Sequence, residues 1–290
     1  MKESTLRFGL SRTLAGVLTE GEPLAGAPAV LFLNAGLLPH VGPNRLHVRL
    51  ARRLAGAGLR SLRFDLSGIG DSGPRQNGLG RDESMIVETQ EAMDALTAAC
   101  GVDRFILFGI CAGADQAVRV ALADTRVVGT VLVDGYSYQT VPHVLRYYFG
   151  RMARPHSWWN VVSLKHPAFR HGPAGRPAGA VVHAPSPFDD DGVAGIPRPG
   201  IYVRPARAEA EARLRTLVDR GCRLWLVFTP TPRVSSASQF GEMFPSLRRH
   251  PAVRVAFFKG SNHVFTLLAS QEALMSAVGS WMTECFAPQR

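Results

Sequence analysis

Between residues 29 and 134 the chain alternates short apolar runs with amphipathic segments, and this alternation restricts its folding options more than any other feature. AVLFLN at 29–34 is a continuous apolar run, as a strand buried on both faces requires, and SLRFD at 61–65, FILFG at 105–109 and TVLVD at 130–134 read as further strands. Between the first two lies 44–57, with Leu46, Leu50 and Leu54 one helical turn apart and arginines between them. Between the second and third lies a further helix at about 82–99, with Asp82, Glu83 and Ser84 as first-turn acids and capping oxygens. Strand, helix, strand in repetition predicts an α/β fold with a mostly parallel central sheet flanked by helices. Stretches at 6–9 and 12–18 are expected to add an antiparallel edge.

The pattern breaks once. Over 143–215 the sequence turns rich in Pro, Gly and Arg, with SWWN, PSPFDDDG and GIPRPG, and periodicity fades. A stretch of that length with weak pattern inside a compact domain reads as an inserted lid or cap. The expected core is then 1–142 with 216–290, where a helix at 207–220, the strands RLWLVF and VRVAFF and a helix at about 271–286 complete the two-layer pattern. A chain of 290 residues accommodates one such domain and its insertion.

Composition removes several classes of function. No apolar run approaches the ~18–20 residues of a membrane span, and the N-terminus MKESTLRFGL lacks an apolar signal region, so a cytoplasmic protein is expected. Cys100, Cys111, Cys222 and Cys285 are scattered without CxxC or Cys/His spacing, which argues against a zinc site or a disulfide framework; no metal and no cofactor are expected. The net charge of +10 is spread through the sequence, without basic runs interleaved with aromatics, so nucleic acid is not an expected partner. A basic surface does suit an acidic partner such as an acyl carrier protein.

Chemistry concentrates in two segments. FILFGICAGADQAV places Gly109-Ile110-Cys111-Ala112-Gly113 where a buried strand meets a helix. A sharp turn there pushes the central side chain outward at a strained dihedral, and the flanking glycines are needed because a Cβ would collide with neighbouring backbone. The helix N-terminus behind Cys111 favours a thiolate and offers a backbone N–H to a developing oxyanion. The competing use of a free cysteine is as a small buried hydrophobe. FFKGSNHVFTLLA sets His263 on a loop just past a predicted strand, at the carboxyl edge where ligands gather in α/β sheets. The other histidines, His40 and His47 among them, read as solvated or structural.

With these motifs, the NAG turn after the third strand and the DLSGIGDSG segment after the fourth, the sequence resembles the α/β-hydrolase superfamily over everything but the lid. It is especially similar to cysteine-bearing bacterial hydrolases encoded beside exosortase or biosynthetic clusters, and more distantly to dienelactone hydrolase. The resemblance implies the order nucleophile, acid, histidine, with Cys111 first and His263 last. The acid departs from the superfamily pattern: RLWLVFTPTPRVSSASQF has no carboxylate after the seventh strand. Asp134, ending the sixth strand, is the favoured acid; Glu242 and a bare Cys–His pair are the alternatives. Ala112 and the loop amides of Gly36 or Leu37 are the expected oxyanion donors. Asp65 and Ser72 are expected to hold their turn by side-chain to backbone bonds. Trp158, Trp159, Tyr147, Tyr148 and Phe149 are candidates for an acyl-pocket wall.

The expected activity is that of a thioesterase or acyltransferase working through an S-acyl-cysteine on a small acyl substrate, free or carried by a protein or CoA. An esterase or lactonase acting on a free small molecule and a non-catalytic binding protein are the competing expectations.

Overall fold

The computed structural model describes residues 1–74, 78–140, 204–231 and 233–286. The chain divides into two compact units, Met1–Thr140 with Arg204–Arg290, and Val141–Val203; the first carries everything that follows. Most of the expected 143–215 insertion, including its aromatic cluster, lies outside the described residues.

Strands β1 (Lys2–Phe8), β2 (Leu14–Glu20), β3 (Ala29–Phe32), β4 (Ser61–Asp65), β5 (Phe105–Ile110), β6 (Val127–Val133), β7 (Arg223–Phe228) and β8 (Val253–Phe257) form one sheet. Its order is β1, β2, β4, β3, β5, β6, β7, β8. The first two strands form an antiparallel hairpin, β2 runs antiparallel to β4, and every later pairing is parallel. The hairpin's connection uses Gly9, Ser11 and Arg12 at positive φ.

Helices α1 (Leu46–Gly56), α2 (Arg81–Cys100), α3 (Ala112–Ala123), α4 (Arg207–Asp219) and α5 (Leu268–Phe286) cover both faces. Because side chains alternate along a strand, each inner strand feeds two cores. From β5, Ile106, Phe108 and Ile110 point to one side, with Val30, Phe32, Val131, Val133, Trp225 and Val227. There they meet Leu46, Leu50 and Leu54 of α1 and Val278, Trp281 and Met282 of α5. Phe105 and Leu107 join the opposite layer, built against α2, α3 and α4 by Met93, Leu96, Val118, Leu214 and Leu217. Leu50 and Leu54 are wholly buried, so the predicted leucine stripe is the face α1 buries.

Two local expectations need correction. Helix α2 is preceded by Gly80 at its N-cap with no side-chain capping bond, so Asp82 and Glu83 act as first-turn acids only, favourable through the helix dipole. Helix α5 begins at Leu268, three residues earlier than expected, just after a turn in which Asn262 Oδ1 accepts from Thr266 N at 3.0 Å.

Candidate active site

The carboxyl end of β5 turns into α3 at Cys111, which has φ 56° and ψ −119° and serves as the helix N-cap. An L residue adopts such a backbone at a cost of ~1–3 kcal/mol, repaid by surrounding structure. Here the Cys111 amide is tied to Val133 O at 2.8 Å and its carbonyl accepts from Ala114 N at 2.9 Å. The flanking glycines are steric requirements. A Cβ on Gly109 would lie 2.1 Å from Gly113 O, and one on Gly113 would lie 2.7 Å from Asn34 O. The helix axis therefore sits against both β5 and the end of β3, with Ala112 at the first helical position, where amides have no intrahelical acceptor.

The neighbouring strand supplies the carboxylate. Asp134 follows β6 directly, also at positive φ (47°), and its amide donates to Val227 O at 2.8 Å. Its side chain is 5% exposed. Oδ1 accepts from the Thr229 amide at 2.8 Å and Oδ2 from the Thr229 hydroxyl at 2.5 Å. Oδ2 also lies 3.0 Å from Nδ1 of His263.

His263 rides on the loop after β8. Asn262 pins that loop by accepting from Thr266 N at 3.0 Å, and Phe265, at φ 50° and fully buried, plugs it into the core against Phe258. Gln271 donates to Phe265 O at 2.9 Å, and Asn44 to Val264 O at 2.9 Å. Half-buried, the imidazole is held up to a pKa of about 10, first by its hydrogen bond to Asp134 and then by the influence of the Cys111 side chain, which together outweigh the opposing effect of burial. Cys111, Asp134 and His263 thus converge although the chain separates them by up to 152 positions (263 − 111).

Among the other candidates, Glu242 accepts from Thr140 Oγ1 at 2.5 Å, while the partner of His263 is Asp134. Gly36, at φ 64°, and the exposed Leu37 lie on the loop after β3, whose second residue Asn34 abuts Gly113. All four cysteines are free, and burial pushes Cys222 up to about 11 and raises Cys100 and Cys285. Ser72 and Asp65 hold their turn as expected: Ser72 Oγ donates to Asp65 O at 2.6 Å and accepts from Ala15 N at 2.9 Å.

Sequence reading passed over Thr229 and His40. Thr229 directly follows β7, and its amide and hydroxyl hold the Asp134 carboxylate at the end of the adjacent β6. A hydroxyl residue at that strand end, beside a missing carboxylate, was the available signal. His40, read from the sequence as solvated or structural, pairs its ring Nδ1 with Asp65 Oδ2 at 2.7 Å, a partner that its position in the chain does not reveal.

The strand order, the strand–turn–helix at Cys111 and the histidine loop after β8 define the class: this is an α/β-hydrolase fold. Solved structures agree. The chain is similar to an esterase of Pyrococcus furiosus, at 15% identity and TM-score 0.57 over 98% of this chain and 90% of the other. It is also similar to the α/β hydrolase GrgF from Penicillium sp. sh18, at 14% identity and TM-score 0.58 over 99% and 100%. A proline iminopeptidase of Mycobacterium smegmatis matches at 14% identity and TM-score 0.50 over 98% of each chain. No family model and no curated protein matches the chain. Among the described residues no helix is long and apolar enough to cross a membrane.

Proposed function

We propose that the protein is a cysteine-dependent acyl-transfer enzyme, a thioesterase or acyltransferase that passes through an S-acyl intermediate on Cys111. The observation that carries this reading is the His263 imidazole held by Asp134 at 3.0 Å on the same sheet edge as Cys111, whose thiol sits on a strained turn at a helix N-terminus and contributes to the raised pKa of that imidazole. The thiol proton passes to His263, whose surroundings favour the imidazolium, before the sulfur adds to the acyl carbonyl carbon and the carbonyl electron pair moves onto oxygen. Amides of Ala112 and of Gly36 or Leu37 receive that oxyanion. Collapse re-forms the carbonyl and breaks the bond to the leaving thiol or alcohol, which takes the proton from the imidazolium. Water or another acceptor then gives its proton to His263 and attacks the thioester, returning Cys111.

Asp134 holds the imidazole by Nδ1, leaving Nε2 for the proton in flight, and its field supports the cation formed. The surroundings of His263 stabilise its protonated form, the product of the first proton transfer. Because a thioester keeps its acyl group reactive, transfer to an amine, alcohol or second thiol is as accessible as hydrolysis. An acidic carrier protein delivering the acyl group would complement the net charge of +10.

Intact-protein mass spectrometry after incubation with acyl-CoA thioesters tests the reading. Wild type or His263→Ala should gain one acyl mass on Cys111, and Cys111→Ala should gain none. Turnover of p-nitrophenyl esters without any turnover of thioesters would favour the esterase or lactonase reading. Absence of any adduct and any turnover would leave a binding protein.

A further inference from the structure

We propose that Asp65, acting through His40 and Asn34, is the positioning group that aims the backbone amides of the 35–39 loop at the substrate's carbonyl oxygen. The inference rests on the reading of Cys111 as an acylated nucleophile. The loop leaves β3 at Asn34, whose carbonyl abuts Gly113 in the first turn of α3. Left to itself it would be slack: Gly36 has φ 64°, Leu37 is 75% exposed, and the loop's own turn is closed by Leu38 N to Ala35 O at 3.2 Å.

Both ends of the loop are tied to one buried carboxylate. Asn34 Nδ2 donates to Asp65 Oδ1 at 2.9 Å. At the other end His40 donates twice, its amide to Oδ1 at 2.6 Å and its Nδ1 to Oδ2 at 2.7 Å. Asn34 also spans the loop, donating to Leu38 O at 3.0 Å and accepting from Leu66 N at 2.9 Å. A fourth donor, the Asp71 amide, reaches Oδ2 at 3.1 Å. Room for the carboxylate is reserved by Gly70, where a Cβ would lie 2.2 Å from Oδ2. Beneath the far end, Gly42 lies so close to the His47 ring that a Cβ would come within 2.4 Å of it.

Burial alone would raise the Asp65 pKa; the hydrogen bonds from His40, the Asp71 amide and Asn34 outweigh it and hold the carboxyl below its usual range. A fully buried carboxylate is tolerated only with such complete pairing. His40, Asp65 and Asp71 present ligand atoms within 4.8 Å of one another. The Asp65 oxygens, however, face four N–H donors, which would repel a cation. What the arrangement does is fix the span of backbone that follows Asn34, whose carbonyl abuts Gly113, two residues past Cys111.

The test compares two reactions of the same sulfur. Acylation by a short acyl-CoA adds the thiolate to a carbonyl and throws charge onto oxygen, so it needs aimed amides. Alkylation by iodoacetamide forms a C–S bond as iodide departs, with no oxyanion. Rates at Cys111 are read by peptide-resolved mass spectrometry. His40→Ala, at a partly exposed position, should slow acylation by about tenfold or more, a fraction of what a missing oxyanion donor costs, and leave alkylation unaltered. His40→Asn, whose amide N–H stands near the lost Nδ1–H, should restore most of the acylation rate. Equal loss in both reactions, or loss in neither, overturns the proposal. A wild-type protein that alkylates at Cys111 yet never acylates there removes the underlying reading instead, and this inference with it.

Discussion

Cys111 and Asp134 both adopt positive φ, 56° and 47°, at the carboxyl ends of adjacent strands. Strained non-glycine backbone at two converging chemical groups marks where the fold gives up stability for placement. His263 ties the two together, and its raised pKa has a consequence for stability. In the unfolded chain the imidazole returns to about 6.5; in the fold it is held near 10. A folded pKa above the unfolded one stabilises fully below pH 6.5, and that stabilisation is lost as pH rises through about 10. Asp134→Asn removes the main cause of the shift. The gap in urea midpoint between wild type and this variant should therefore be widest near pH 6 and narrow as pH rises past about 10. A gap constant across that range would show that Asp134 does not stabilise the imidazolium.

At the level of elements, the site depends on how closely α3 approaches β5 and β3. The Gly109 and Gly113 contacts are with backbone atoms, which cannot rotate away as a side chain would. Gly109→Ala should cost about 1–3 kcal/mol, the range of overpacked cores, read as a lower urea midpoint. The surviving folded fraction should also react more slowly at Cys111, because helix and thiol move together. An unchanged midpoint with unchanged reactivity would mean that the turn is looser than these distances allow. Thr229 makes the complementary point: β7 contributes no acid, yet its terminal residue orients the one from β6.

For the molecule as a whole, the parallel sheet brings the ends of β3, β5, β6, β7 and β8 to one edge, so residues from 34 to 263 share a site. The chain carries a net charge of +10. If an acidic carrier delivers the acyl group, KM for carrier-bound substrate should rise steeply with NaCl between about 50 and 300 mM, as screening shortens the reach of surface charge. KM for a small uncharged thioester should stay flat. Parallel responses of both substrates would remove the carrier from the account.

Much of this was written locally in the chain. Buried strands, amphipathic helices and the glycines around Cys111 follow from side-chain periodicity and from steric demands that span only a few residues. Those demands locate the turn at Cys111, and the end of the strand VRVAFF locates the loop at His263. Distance in sequence hid the rest. Whether Asp134 or Glu242 meets the imidazole depends on strand order, and local pattern carries no information on which strand lies beside which. The same holds for Thr229, which supports a carboxylate 95 positions away, and for His40, which pairs with one 25 positions away. Periodicity is a property of neighbours along the chain; a hydrogen bond between strand ends is a property of the assembled sheet, and it is the sheet that joins these groups into one site.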